Sequence, residues 1–193
     1  EAAGLQRLID RSDVLALGPG LGQGAWGRGL FEVAIASAKP MVVDADALNL
    51  LAASPRLLPR AVLTPHPGEA ARLLGVETGA VQTDRFAAAA QLSERFDCAV
   101  VLKGAGSLVT APGRIPHVID IGNPGMASGG MGDALTGVIA ALLAQGMQPF
   151  DAASTGAWLH ARAGDRAALG GMAGMLAGDL IAEVRATIAE CTP

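Results

Sequence analysis

The sequence predicts an α/β fold, with a mainly parallel central sheet and helices on both of its faces. Short apolar runs alternate with stretches that show helical periodicity. The turns between them are short, as in sheets whose parallel strands are joined by helices. Polar and glycine-rich clusters fall directly after the predicted strands. In such folds ligands bind outside the carboxyl ends of the strands, so these clusters are candidates for a binding site.

The first half of the chain contains three predicted strands, each followed by a helix. The strands are short and apolar: "DVLALG" (13–18), "PMVVDA" (40–45) and "RAVLTP" (60–65). The helices between and after them are "WGRGLFEVAIASA" (26–38), "DALNLLAAS" (46–54) and "GEAARLLG" (68–75). A glycine at the end of the third helix is a typical helix stop.

The second half continues the alternation and then becomes helical. One amphipathic helix and three strands are predicted: "TDRFAAAAQLSERF" (83–96), "CAVVLKG" (98–104), "SLVTAP" (107–112) and "RIPHVID" (114–120). Thr83 is a suitable N-cap for this helix. The last two strands are expected to form a hairpin around Pro112 and Gly113. From Gly130 onward the pattern is almost wholly helical.

Composition indicates one compact cytoplasmic domain, 1–193, and argues against several kinds of partner. Aromatic residues make up 3% of the 193 residues, which argues against stacking on single-stranded nucleic acid. The net charge is −4 and no basic patch stands out, so no nucleic-acid partner is expected. No apolar run approaches the about 20 residues that span a membrane. Two distant cysteines and no signal peptide favour a reducing compartment.

The stretch "GNPGMASGGMGDALTGVIAALLAQG" (122–146) places several glycines directly before an apolar helix. Free amides at a helix N-terminus bind anions, and glycines let a phosphate approach the backbone. Asp133 would repel that phosphate unless it has a task. The obvious task is to take a proton from a hydroxyl that attacks or receives the phosphoryl group. Taken alone, the pattern leaves a second interpretation open, in which Asp133 merely favours the helix dipole.

Two further clusters follow predicted strands. In "VLKGAGSLVT" (101–110), Lys103 can contact a phosphate, and the backbone amides with Ser107 can hold a nucleotide. An ordinary Gly-Ala-Gly turn is the alternative. In "LTPHPGEAARLLG" (63–75), His66 stands between two prolines that restrict its backbone, which favours a ligand contact over an exposed loop histidine. Glu69 is expected to serve the helix N-terminus.

Glycines and carboxylates also follow the first two strands. "LGPGLGQG" (17–24) lacks the order of a dinucleotide fingerprint and is interpreted as a loop that a ligand can approach closely. In "VVDADALNLL" (42–51), Asp44, Asp46 and Asn49 could hold a magnesium shell, a ribose or an amide. For Asp46, we favour capping of the following helix.

Together these motifs resemble those of the ADP-dependent NAD(P)H-hydrate dehydratases, in which they occur in the same order over nearly the whole chain. The quoted motifs are "GPGLG", "VVDADALNLL", "LTPHPGEAARLLG", "VLKGAGSLVT" and "GNPGMASGGMGDALTGVIAALLAQG". The resemblance implies a ribokinase-like fold. It also implies a repair reaction, in which ADP (ATP in eukaryotic relatives) is used with Mg²⁺ to remove water from hydrated NADH or NADPH. The products are NAD(P)H, AMP and phosphate.

The resemblance assigns most of the expected site residues, and the motifs themselves add Asn123, Gly130 and Asp44. We expect the adenine-nucleotide site to contain Lys103, Gly104, Ala105, Gly106, Ser107, Asn123, Gly130 and Gly132. We expect the hydrated-dinucleotide site to contain Gly20, Asp44, His66 and Asp133. Asp133 would be the catalytic base, and the amides around Gly130 to Gly132 would hold the charge on the transferred phosphoryl group. No metal ligand is assigned.

The chain also departs from the family pattern. Relatives carry several dozen more residues before "DVLALGPG", so we expect an N-terminally truncated form of the domain. Many relatives carry a fused epimerase domain, so pairing with a separate NAD(P)HX epimerase is expected, as is a homo-oligomer. Two alternatives stay open: a ribokinase-like kinase of a vitamin hydroxymethyl group, and a non-catalytic domain that binds adenine nucleotide.

Overall fold

Strands and helices alternate along residues 2–191, which are the residues that the computed structural model describes. The strands are β1 (Leu15–Leu17), β2 (Met41–Val43), β3 (Ala61–Leu63), β4 (Ala99–Leu102), β5 (Ser107–Thr110) and β6 (His117–Ile119). The α-helices are α1 (Ala2–Asp10), α2 (Ala25–Ala36), α3 (Ala45–Ala53), α4 (Pro67–Leu74), α5 (Thr78–Thr83), α6 (Arg85–Phe96), α7 (Met131–Ala144), α8 (Pro149–Ala167) and α9 (Ala177–Cys191).

The six strands form one sheet in which their spatial order equals their order along the chain. The first four strands are parallel to their neighbours, whereas β5 is antiparallel to both β4 and β6. The predicted parallel sheet and terminal hairpin are therefore confirmed. Because β6 runs in the same direction as β4, the carboxyl ends of five strands lie at one edge of the sheet. The clusters that follow these strands consequently meet at that edge.

Both faces of the sheet are buried, because successive strand residues point to opposite sides. One face packs against α2, α3, α4 and α6 through Val43, Leu63, Val100, Leu102 and Leu108. The other face packs against α7 and α8 through Val42, Val62, Val101 and Val109. Full burial of one such side chain contributes about 1.5–3 kcal/mol. The prediction of helices on both faces is confirmed.

The start of α6 differs from its prediction. Thr83 is the last residue of the short helix α5, which the sequence pattern did not reveal, and its hydroxyl donates to the Gly79 carbonyl at 2.9 Å. The N-cap of α6 is Asp84, whose carboxylate accepts from the Ala87 N–H at 2.9 Å. A carboxylate satisfies a free amide of the first turn and also favours the positive end of the helix dipole.

The last helix packs on α8 through a hydrophobic cluster that contains Leu180 and Ala163, and ion pairs between the two helices add to this contact. Arg166 of α8 pairs with Glu183 at 2.8 Å and also with Glu190, both on α9. These contacts place α9 outside α7 and α8. Along the part of the chain that is described, none of the helices combines the length and the apolar character needed to cross a membrane.

Candidate active site

The residues that follow β2 and β4 are held by backbone hydrogen bonds that continue beyond the strands. The Asp44 N–H donates to the Leu17 carbonyl at 3.0 Å, and the Lys103 N–H donates to the Pro65 carbonyl at 2.9 Å. Both side chains therefore start from fixed positions at the carboxyl edge of the sheet. This edge is where the sequence placed its candidate ligand contacts.

A buried ion pair joins these two strands. Lys103 Nζ lies 2.8 Å from Asp44 Oδ1, and the Thr136 hydroxyl of α7 donates to Asp44 Oδ2 at 3.0 Å. Asp44 is 1% exposed, whereas 21% of the Lys103 side chain is exposed. Glu69 adds a second carboxylate 3.9 Å from Lys103 Nζ. A buried charge is tolerated only when it is paired and hydrogen-bonded, and Asp44 meets that condition.

Glycine suits two positions at the start of α7, and for a different structural reason at each. Gly130 is the N-cap and has φ +84°, in the left-handed region that glycine adopts without strain. Gly132 lies directly against the ion pair. A Cβ at Gly132 would be 3.3 Å from Lys103 Nζ and 3.5 Å from Asp44 Oδ2. The glycines therefore bring the first turn of α7 close to a charged pair, with its free amides at the edge of the sheet.

Asp133 is exposed in the first turn of α7, next to Gly132. Within residues 2–191, its carboxylate takes part in no hydrogen bond or ion pair. Asp133 and Gly130 border one end of a groove of about 780 Å³ between α7 and α9. Aliphatic side chains dominate the rest of its wall, among them Ala134, Val138, Leu142, Leu159, Ile181 and Val184. The carboxylate is thus available to a molecule bound beside the first turn.

The "KGAGS" loop after β4 is closed by its own hydrogen bonds. The Gly104 N–H donates to Ser107 Oγ at 3.3 Å, and Ser107 Oγ donates to the Gly104 carbonyl at 3.0 Å. Gly104 and Gly106 have φ values of +149° and +64°. Only glycine adopts both conformations without strain. The Ser107 hydroxyl therefore shapes the loop, and a contact with a nucleotide would use its remaining acceptor capacity.

Arg85 braces the same loop from the first residue of α6. Its Nη1 donates to the Ala105 carbonyl at 2.6 Å, and its Nη2 donates to the Leu102 carbonyl at 3.2 Å. A Cβ at Gly104 would lie 3.0 Å from the guanidinium. Because Arg85 holds carbonyl oxygens, it fixes the orientation of the peptide groups whose amides would face a ligand. The sequence pattern gave no sign of this contact.

His66 is the N-cap of α4 in a capping box. Its Nδ1 accepts from the Gly68 N–H at 3.0 Å, and the Glu69 carboxylate accepts from the His66 N–H at 2.8 Å. The expectation that Glu69 serves the helix N-terminus is confirmed. In the neutral ring, Nδ1 is the acceptor, so Nε2 carries the proton. His66 Nε2 lies 3.5 Å from Glu69 Oε1 and the side chain is 56% exposed, so the contact of the ring with a ligand stays a prediction.

Asp46 does not cap α3 as expected. The N-cap is Asp44, and Asp46 reaches the glycine loop after β1 instead. Its carboxylate accepts from the Gly22 N–H at 2.8 Å and from Gln23 Nε2 at 3.1 Å. The carboxylate of Asp46 thus binds a free amide of a loop that is distant in the sequence, and not the free amides at the start of α3. Gly20 lies exposed in the same loop with φ +68°, and its contact with a substrate stays a prediction.

Asn123 is held by a residue of α8. Its Nδ2 donates to Asp165 Oδ1 at 3.0 Å, and its Oδ1 accepts from the Gly125 N–H at 3.0 Å. Asp165 also accepts from the Gly122 N–H at 3.0 Å. The amide of Asn123 thus fastens the loop before α7 to α8. Its predicted contact with a nucleotide is untested.

His160 of α8 supports the first turn of α7 from the protein interior. His160 Nε2 lies 2.9 Å from the Met131 carbonyl oxygen, and the residue is 8% exposed. Burial lowers the pKa of His160 from its ordinary value to about 4, and the nearby charge of Lys103 adds to this effect. The imidazole is therefore neutral at neutral pH and donates its Nε2–H to Met131.

The sequence model of the NAD(P)H-hydrate dehydratase family matches residues 1–186. The chain belongs to this family. It is 48% identical over 182 residues to the bifunctional NAD(P)H-hydrate repair enzyme Nnr of Escherichia coli, covering 94% of this chain and 35% of that enzyme. It is 44% identical over 190 residues to an ADP-dependent (S)-NAD(P)H-hydrate dehydratase of Neisseria meningitidis, covering 92% and 64%. The chain thus spans less than two thirds of these relatives.

Solved structures agree with the family and confirm the ribokinase-like fold. A ribokinase-like protein of Enterococcus faecalis superposes with a TM-score of 0.86 at 28% identity, covering 100% of this chain and 69% of its own. The ADP/ATP-dependent NAD(P)H-hydrate dehydratase of Bacillus subtilis, crystallised with ATP and Mg²⁺, superposes with a TM-score of 0.83 at 26% identity. That match covers 98% of this chain and 72% of the other.

In this member of the dehydratase family, some of the expected site residues lie close together, whereas the side chains of others hold the protein structure. Lys103 and Asp44 form an ion pair at the sheet edge, and Gly132 lies next to it. The side chain of Asn123 is partly buried and hydrogen-bonded to Asp165, and that of Asp44 is buried, so their ligand contacts stay predictions. Four residues with roles at this edge escaped sequence reasoning: Arg85, Thr136, His160 and Asp165. Each of them joins segments that are distant in the sequence, so no local pattern could reveal it.

Proposed function

We propose that this chain catalyses the ADP-dependent dehydration of (6S)-NADHX and NADPHX to NADH and NADPH, with release of AMP and phosphate. The observation that carries the proposal is Asp133, an exposed carboxylate beside a glycine-lined helix N-terminus. Such a turn binds phosphate, and an unpaired carboxylate next to it is placed to take a proton from a hydroxyl that reacts with that phosphate. The dehydratase names of the relatives support the same reaction.

The proposed reaction replaces hydroxide, which is a poor leaving group, by phosphate, which is a good one. Asp133 takes the proton of the ring hydroxyl as its oxygen attacks the β-phosphorus of ADP. The bond between that phosphorus and its bridging oxygen breaks, and AMP leaves. The amides around Gly130 to Gly132 stabilise the charge on the transferred phosphoryl group. The electron pair of the ring nitrogen then expels phosphate, and loss of a proton from the adjacent ring carbon gives NAD(P)H.

The nucleotide is proposed to lie along the "KGAGS" loop and the first turn of α7. The loop presents backbone amides between two glycines in positive φ, and 21% of the Lys103 side chain is exposed. ADP or ATP would bring Mg²⁺ on its phosphates, which supply much of the coordination in such sites. Residues 2–191 contain no group of three or more His, Cys, Asp or Glu side chains arranged to hold a metal ion. We therefore assign no step to the ion.

The decisive assay follows the absorbance of NADH while the protein is incubated with hydrated NADH, ADP and Mg²⁺. Replacing Asp133 by Asn should lower kcat by about 10² or more, because the base is lost while the shape is kept. Asp151→Asn is a matched control. Asp151 is also an acid in the first turn of a helix, and it pairs with Arg114 at the opposite edge of the sheet.

Four other results would change the proposal. No NADH from the wild-type chain would refute the proposed function, and equal rates for wild type and Asp133→Asn would refute the role of Asp133 as the base. A phosphorylated product that accumulates would identify a kinase of small hydroxyl compounds. Binding of ADP without any turnover would identify a non-catalytic nucleotide-binding domain.

We further propose that residues 1–193 form a single domain of a cytoplasmic homo-oligomer. The E. coli relative is named bifunctional, which supports functional pairing with an NAD(P)HX epimerase. Light scattering after size-exclusion chromatography measures the oligomer directly. Addition of an epimerase to a mixture of the two hydrate epimers should raise the final yield of NADH if the pairing holds.

A further inference from the structure

We propose that Asp44 is a positioning residue, which fixes the first turn of α7 relative to the nucleotide loop through Thr136 and Lys103. For its catalytic consequence the inference rests on the proposed function. Sequence reasoning assigned Asp44 a direct contact with the substrate. The geometry points to action through two other residues instead.

The carboxylate of Asp44 faces protein on both sides. Its Oδ1 accepts from Lys103 at 2.8 Å, and its Oδ2 accepts from the Thr136 hydroxyl at 3.0 Å. With 1% exposure, the residue offers a ligand almost no surface. Thr136 is 2% exposed, so its hydroxyl is equally committed to this contact. Breaking either bond would leave a buried polar group without its partner, which is costly.

The three bonded residues belong to three separate parts of the site. Asp44 follows β2, Lys103 begins the "KGAGS" loop after β4, and Thr136 lies one turn into α7. Thr136 is three residues after Asp133 on the same helix, so a rigid α7 transmits its position to the exposed carboxylate. Gly132 faces the ion pair, because a Cβ at this position would lie 3.3 Å from Lys103 Nζ and 3.5 Å from Asp44 Oδ2. The buried pair thus sets the distance between the nucleotide loop and the phosphate-binding turn.

The glycine at the end of β1 shows how closely this junction is packed. A Cβ at Gly18 would lie 1.7 Å from the Asp44 carbonyl oxygen, so only glycine fits there. The backbone of Asp44 is consequently held from β1, while its side chain holds α7. Asp44 cannot move toward a ligand without displacing one of these contacts.

The test compares Thr136→Val and Asp44→Asn, singly and together, by ADP titration calorimetry and by steady-state kinetics. Val keeps the volume of Thr136 and removes its hydroxyl. We expect Thr136→Val to lower kcat about 10-fold to 100-fold and to weaken ADP binding about threefold to tenfold. The KM for the hydrated dinucleotide should change by less than about threefold, because no contact with that substrate is lost. The double variant should be no worse than Asp44→Asn, since the two residues act through one bond.

Two further variants separate positioning from general damage. Thr136→Ser keeps the hydroxyl and should behave as wild type. Thr110→Val removes another buried threonine hydroxyl, which donates to the Ala89 carbonyl at 3.1 Å. Thr110 lies far from the site, at the opposite ends of the strands. The kinetics of this variant should equal those of the wild type. If Asp44→Asn fails to fold, the Val and Ser variants of Thr136 decide the question alone.

The inference is overturned if Thr136→Val matches wild type while Asp44→Asn raises only the KM for the hydrated dinucleotide. That result would establish the direct substrate contact. It is also overturned if the effects of the two single variants add. A wild-type chain without dehydratase activity would refute the proposed function, not this inference, because the ADP affinities of the same variants still test the coupling.

Discussion

The two glycine-rich segments at the sheet edge are held in opposite ways. The "KGAGS" loop is closed by a serine within it and braced at its carbonyl oxygens by Arg85, so its shape comes from contacts with its own backbone. The first turn of α7 is held from the protein interior, by Asp44 through Thr136 and by His160 through Met131. Three of the hydrogen bonds that hold the loop are exposed, so the loop yields to a ligand more readily than the turn, whose hydrogen bonds are buried. A turn fixed in this way suits the part of the site where reacting atoms must be aligned.

The largest expected effect is a loss of stability at acidic pH caused by His160, one of the buried residues that hold the first turn of α7. Its pKa is lowered in the folded protein to about 4, whereas the unfolded chain binds the proton near 6.5. The unfolded state therefore gains protons first as the pH falls. Stability should be lost progressively from about pH 6.5 down to about pH 4, by about 3 kcal/mol in total for this one group.

Urea unfolding at several pH values between 7.5 and 4 measures this loss. His160→Gln can still donate to the Met131 carbonyl but cannot titrate. The free energy of unfolding of the variant should fall less with acidification than that of the wild type, and the difference isolates His160 from the carboxylates. Parallel curves would show that His160 does not change its protonation between the two states.

The next effect concerns Gly132, where the turn meets the ion pair. Gly132→Ala places a Cβ at 3.3 Å from Lys103 Nζ, which is tighter than an ordinary van der Waals contact. The turn or the ammonium group must then shift, so we expect kcat/KM to fall by about 30-fold to 100-fold. Gly178→Ala on α9 is the control, because nothing lies within 4 Å of its Cβ position. Equal activity in both variants would mean that the turn tolerates displacement.

Sequence reasoning predicted the scaffold well because its signals are local. The strands β1, β2 and β4 were recognisable from short apolar runs, and the parallel order placed their carboxyl ends at one edge. Details that depend on competition between distant groups were missed. Asp46 was expected to cap α3, but it binds the amide of Gly22, 24 residues earlier in the chain. No spacing rule contains such a contact, since it exists only after the strands are paired.

The smallest effect concerns the adaptable loop and its brace. Arg85→Met removes the two hydrogen bonds to the loop carbonyls and keeps much of the aliphatic stem. We expect the affinity for ADP to fall about fivefold to tenfold, with kcat at saturating ADP within about twofold of the wild type. Arg72→Met, at an exposed position of α4, controls for the loss of one positive charge. Calorimetry with ADP and kinetics at saturating ADP separate the two quantities. If kcat fell as far as the affinity, Arg85 would position the reacting groups as well, and the contrast between an adaptable loop and a fixed turn would be wrong.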